Sequence, residues 1–235
     1  MQVIRLYGVK TNGNWATFIK WQVYHPNQFA PMKRLFRLPF FALLVFSVLL
    51  AACKMDHDMD GMKHDSPYMK IMNDMMTQMD AQAKTQDPDH DYAAQMVLHH
   101  EAAIKMAEEE LRTGSNQEMK TTAQDIIAKQ RAEIGQFNAF TSGHQPMQPL
   151  VPQFNAVQKT NMDKMMAASD ARTITARPDY DFAQLMVDHH QAAISNSEAL
   201  LQYGRNATTR ALAQAIITDQ RQEIAALQNW LARNK

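Results

Sequence analysis

Two histidine pairs, His99-His100 and His189-His190, lie 90 residues apart, and the residues around them keep the same offset. Met96 and Met186 precede the pairs, and Ala103-Ile104 and Ala193-Ile194 follow them. Gln130-Arg131 with Glu133-Ile134 recurs as Gln220-Arg221 with Glu223-Ile224, and Met72, Met75 and Met76 recur as Met162, Met165 and Met166. Imidazole moves protons and ligates borderline metals, whereas thioether is a soft ligand, so the chemistry these residues suggest is metal binding. A gapless duplication that preserves polar as well as apolar residues points to a polar site, because a core alone needs only the apolar pattern.

Helical spacing places these groups on stripes. Tyr92, Met96, His99 or His100, Ala103, Ala107 and Leu111 fall at three- and four-residue steps and share a face. Ile126, Gln130, Glu133 and Phe137 form a second stripe, repeated by Ile216, Gln220, Glu223 and Leu227. Polar groups within an apolar stripe need partners, and the histidines are the partners available.

Two arrangements fit. Imidazole, amide and carboxylate could form a satisfied buried network that fixes helix register. Alternatively His99, His100, His189 and His190 bind metal, with Gln130, Glu133, Gln220 and Glu223 orienting the imidazoles from behind. Met96, four residues before His100, Met106, seven after His99, and Met186 in the second copy leave mixed thioether–imidazole coordination open, which selects copper, Cu(I) above all. Met69, Met72, Met75, Met76 and Met79 make a further stripe that serves equally as core filler. Of the eighteen methionines all but Met1 and Met32 lie beyond Cys53, an excess that favours soft-metal binding.

Three helices per repeat must carry these stripes. The first runs from about Pro67 to Ala83, and the second from about Asp89 to Thr113 with Gly114 as its stop. The third opens on Ser115 and Glu118 in capping-box spacing and runs to about Phe140. The second copy starts its middle helix at Pro178-Asp179, ends it at Gly204 and carries its last helix to about Leu231. The fold class expected is all-α, with repeat 1 over 67–142, a Pro/Gly linker over 143–152 and repeat 2 over 153–235.

Residues 1–52 read as a targeting segment whose functional start is Met32: Lys33, Arg34 and Arg37 precede an apolar run from Leu38 to Leu50, then Ala51-Ala52-Cys53. Small residues before a cysteine look like a lipobox, so Cys53 is expected to be the acylated first residue of a bacterial lipoprotein, anchored in the cell envelope and facing the periplasm. Residues 53–66 hold no large aliphatic residue and read as a disordered tether, in which Met55, His57, Met59, Met62 and His64 form either a solvated spacer or a metal-capturing arm. Cys53 is the only cysteine, so no thiolate site or disulfide remains once it is acylated. Residues 53–235 carry 18 basic and 24 acidic side chains, a net of −6 that argues against nucleic acid as a partner.

The combination Asp-x-x-x-x-Met-x-x-His-His-x-x-Ala-Ile with a later Gln-x-x-Glu-Ile resembles the bacterial family catalogued as domain of unknown function 305. The matching residues are Asp91, Met96, His99, His100, Ala103, Ile104, Met106, Gln130, Glu133 and Ile134, then Asp181, Phe182, Met186, His189, His190, Ala193, Ile194, Gln220, Glu223, Ile224 and Trp230. The resemblance implies a ferritin-like helical bundle and an exported protein linked to copper binding and tolerance; the reading adopted is binding or handing over of copper without chemical turnover, with copper-handling proteins as candidate partners. Asn196 departs from it where the first copy has Met106, which predicts a weaker or structural second site. The rivals are a metal-free structural lipoprotein and a di-iron oxidase. The latter requires Glu-x-x-His, which the chain lacks, and a covalently held haem would require Cys-x-x-Cys-His, also missing.

Overall fold

A computed structural model describes residues 5–11, 14–20 and 66–235 and divides the chain into two compact units, 1–53 and 54–235. The apolar run, Cys53 and the Met/His tether lie outside the described residues. In the first unit, β1 (Arg5–Thr11) pairs antiparallel with β2 (Asn14–Lys20), from Arg5 opposite Lys20 to Thr11 opposite Asn14. Asn12-Gly13 stands between them, the dipeptide that most favours a two-residue hairpin connection. No structure was expected in this stretch.

Residues 66–235 are all-α: α1 (Pro67–Ala81), α2 (Pro88–Thr113), α3 (Gln117–Gly143), α4 (Pro152–Asp170), α5 (Pro178–Tyr203) and α6 (Ala207–Arg233). Proline in the first turn opens α1, α2, α4 and α5, where its missing N–H costs nothing. The cap of α3 differs from expectation. Asn116, not Ser115, accepts from the Met119 N–H, because Ser115 is already engaged by Asp179. Gly114 and Gly204 do end α2 and α5, yet in extended rather than left-handed backbone. Space is the reason: a Cβ at Gly114 would strike the Glu110 carboxyl, and one at Gly204 would lie 2.7 Å from Leu200 Cδ1 and 2.8 Å from Asp89 Oδ1.

The repeats form one fused bundle. α2 and α5 pack against each other at the centre, with α1 and α3 on α2 and α4 and α6 on α5. One core cluster joins Met72, Met75 and Met106 of the first repeat to Met162, Met165, Phe182 and Met186 of the second. Another joins Tyr92, Met96 and Phe137 to Phe154, Leu200 and Ile216. Burying a methionine such as Met106 contributes roughly 1.5–3 kcal/mol, so the shared cores bind the repeats strongly. Each central helix also caps the far repeat. Asp89 accepts from the Arg205 and Asn206 N–H groups and the Thr209 hydroxyl at the start of α6, while Asp179 accepts from Ser115 and Asn116 at the start of α3. A carboxylate at a helix N-terminus satisfies orphan donors and complements the dipole.

Candidate metal centre

Adjacent residues on an α-helix point about 100° apart, so a His-His pair must address two different neighbours. His99 of α2 aims across the central interface and meets His189 of α5, ring centroids 3.7 Å apart and tilted by 38°. His100 and His190 turn instead toward their own third helices, where His100 Nε2 lies 2.7 Å from Glu133 Oε2 and His190 Nε2 lies 2.9 Å from Glu223 Oε2. The result is a row of four imidazoles across the middle of the bundle with a carboxylate at each end. All four rings are fully buried, and the two carboxylates are nearly so.

Burial drives the protonation state. His99 and His189 are held well below the usual imidazole range by loss of solvent first and by the neighbouring histidines second. Both are therefore neutral at physiological pH, the form that ligates metals. Glu223 is pulled upward by burial, but His190 and Lys129 outweigh that and hold it below its usual range. Lys129 reaches it from α3 of the other repeat at 2.8 Å. The 90-residue offset puts Asp219 where the first copy has Lys129, so the two ends of the row differ in charge.

Neither nitrogen of any of the four rings makes an aligned hydrogen bond, and the His–Glu contacts are ion-pair approaches rather than directed bonds. Gln130 and Gln220 are buried with their amides unpaired, so they do not partner the histidines as their spacing suggested. An unpaired buried polar atom costs about 1–3 kcal/mol, and the six ring nitrogens that lack even a carboxylate contact demand either a ligand or a shift of side chains. Among the described residues no three His, Cys, Asp or Glu side chains converge on one point. The donors are thus gathered in one row without converging on a single point.

The methionines divide. Met96 packs with Tyr92 and Phe137 on one side of the row, and Met106 and Met186 lie in the core cluster on the other, with Met72, Met75 and Met79 of α1. Met76 is partly buried against that cluster. The motif acids Asp91 and Asp181 belong to scaffolding: Asp91 accepts from Thr85, Gln86 and Asn155, and Asp181 from Thr175 and Gln184, bracing the loops in which Gln86 and Ala176 take positive φ. One contributor, Lys129, escaped notice in the sequence, and two residues noted there, Tyr92 and Asn196, make contacts it did not foretell. Lys129 acts from the opposite repeat, Tyr92 shares a 2.7 Å hydrogen bond with Ser197 across the central interface, and Asn196 donates to the Met162 thioether at 3.4 Å. For Lys129, the break in the repeat at Asp219 was the available signal.

Fold and site together define a duplicated helical bundle with paired histidines at its centre. The family model "Domain of unknown function (DUF305)" matches residues 22–141 and 89–231, and the chain belongs to that family. A solved structure, the crystal structure of a DUF305 fragment from Deinococcus radiodurans, is similar at 24% identity over 64% of this chain and 98% of that one, with a TM-score of 0.48. No curated protein matches.

Proposed function

We propose that the protein binds copper, chiefly as Cu(I), in the cell envelope and lowers the free concentration of the ion there. The observation that carries the proposal is the row of four fully buried histidines, in which His99 and His189 are held neutral and six of the ring nitrogens have no polar partner. A purely structural polar network would satisfy those atoms. His99, His100, His189 and His190 would supply imidazole, with Met96, Met106 and Met186 packed close by in the surrounding core. Glu133 and Glu223 would fix the rings of His100 and His190 and accept the proton that each ring N–H shares. Copper is cargo in this scheme, bound and handed on without chemical turnover, and the Met55–His64 arm would capture it first. Lipid attachment at Cys53 would hold the protein at a bacterial membrane facing the periplasm, with copper-handling proteins as delivery partners.

Competition among metals tests the proposal. Full-length protein is offered Cu(I), Ag(I), Zn(II) and Fe(II) together, and the metal retained after dialysis is counted. Soft ligands predict retention of Cu(I) and Ag(I) over the others. Stoichiometric Fe(II) with no retained Cu(I) overturns copper binding and favours a di-iron oxidase, while no retained metal favours a structural lipoprotein.

A further inference from the structure

Glu110 is a fully buried acid in the last turn of α2, at a joint where four segments meet. Tyr68 of α1 donates its hydroxyl to Oε2 at 3.2 Å, Gly114 of the α2–α3 turn lies against the carboxyl, and Asp179 of α5 is within hydrogen-bonding reach of it. Asp179 in turn accepts from the Ser115 N–H at 2.9 Å, the Ser115 hydroxyl at 3.1 Å and the Asn116 N–H at 2.7 Å. We propose that Glu110 is a protonated carboxylic acid that donates to Asp179, and that this shared proton is a pH-sensitive latch holding the α2–α3 turn of the first repeat onto α5 of the second. The latch uses neither the histidines nor a metal.

Three observations support it. First, the oxygens of Glu110 need a proton to be satisfied. Oε2 accepts from Tyr68, whereas Oε1 has no donor among the described residues. Two carboxyl groups in contact at a buried site cannot both be charged, and one proton between them removes the repulsion and supplies the missing bond. Second, the proton belongs on Glu110. Burial raises Asp179, but Asn116, Glu110 and Ser115 outweigh it and hold Asp179 below its usual range. Glu110 is pushed up to about 8, by burial first and by Asp179 second. Tyr68 of α1 and Lys120 of α3 act against this without cancelling it, and on its own helix Glu109 is paired with Arg112.

Third, the duplication supplies an internal comparison. The offset of 90 puts Leu200 at the place of Glu110, Gln158 at that of Tyr68 and Asp89 at that of Asp179. The second joint keeps the aspartate and its two backbone contacts, to Arg205 and Asn206, and packs Leu200 against Gly204 where the first packs Glu110 against Gly114. Thr209 supplies a further donor to Asp89, and the first repeat has Met119 there, which cannot. A leucine thus fills this place in the fold, so the acid at 110 serves something other than packing.

A glutamate held near 8 in the closed joint and near 4.3 in the open one takes up a proton on closing. The latch therefore weakens as pH rises between those two values and weakens no further above the higher one. NMR of the full-length protein from about pH 5 to 9.5 tests this. The Glu110 carboxyl carbon, identified by its loss in Glu110→Gln, is expected to titrate near 8. Hydrogen exchange at the Ser115 and Asn116 amides, corrected for the intrinsic rate, is expected to lose protection by up to about tenfold per pH unit between about 5 and 8 and then to level off. Glu110→Leu, which copies the second repeat, and Glu110→Gln should both lose that slope. A Glu110 carboxyl that titrates in the ordinary glutamate range overturns the proposal, as does a parent without the slope or a slope that survives in either variant.

Discussion

Lowering the pH should destabilise the metal-free protein in a way that only the central histidines explain. His99 and His189 are fully buried and held well below the usual imidazole range in the fold, whereas in the unfolded chain each titrates near 6.5. Below that value the unfolded state binds protons that the folded state refuses, so stability falls as pH falls. Each such group costs on the order of 1 kcal/mol per pH unit below its unfolded pKa, so the two together should cost on the order of 2–3 kcal/mol between pH 7.5 and 5.5. That is a sizeable part of the 5–15 kcal/mol typical of a domain. Glu110, buried beside Tyr68 and pushed up to about 8 by burial and by Asp179, works in the opposite direction, its neutral form favouring the fold as pH falls. Urea unfolding at each pH, on the parent and on His99→Gln/His189→Gln, isolates the histidines, because Glu110 and the other carboxylates are common to both. The parent should lose on the order of 2–3 kcal/mol more than the variant over this range. Equal losses would show that these rings are not held neutral, and with that the argument from burial fails.

Further predictions follow from the contacts that join the repeats and from the two ends of the histidine row. Asp89→Ala removes three acceptor contacts at the start of α6 and should cost on the order of 2–3 kcal/mol in thermal unfolding, and Asp179→Ala, at a half-buried site, should cost less. Lys129→Met removes a cation that holds Glu223 low, so the Glu223 carboxyl should titrate at a higher pH by NMR. Its contribution to stability, present above the unfolded value near 4.3 and lost as pH falls through the folded one, should then be smaller and be exhausted at a higher pH. Cys53→Ser should release the protein from the membrane fraction or trap its precursor, and a mutant that fractionates like the parent would remove the lipid anchor.

The helices and their stripes were legible because a 3.6-residue period needs no tertiary knowledge, and the duplication confirmed each assignment twice. That Glu133 and Glu223 would meet a histidine followed from the same logic, since a polar residue in an apolar stripe needs a polar partner, but the choice of His100 and His190 within each pair did not. Contacts between the repeats were not legible. Nothing local to His99 says that it will stack on His189, and nothing in Asp89 says that it will cap a helix 117 residues away. Gln130 and Gln220 misled for a related reason: their stripe position predicted burial correctly, but burial does not choose a hydrogen-bond partner. Ser115 likewise had the spacing of a cap but lost that role to Asn116, because Asp179 arrives from the other repeat. Asn196 read as a lost ligand until the fold set its amide against Met162.

X-ray absorption of the Cu(I)-loaded full-length protein measures the ligand atoms themselves. The parent should show the multiple scattering characteristic of imidazole together with sulfur, and the imidazole signal should vanish in the variant with His99, His100, His189 and His190 all replaced by glutamine. Copper held only by sulfur or oxygen in the parent, with a spectrum that those four replacements leave unchanged, would contradict a copper site at the centre of the bundle.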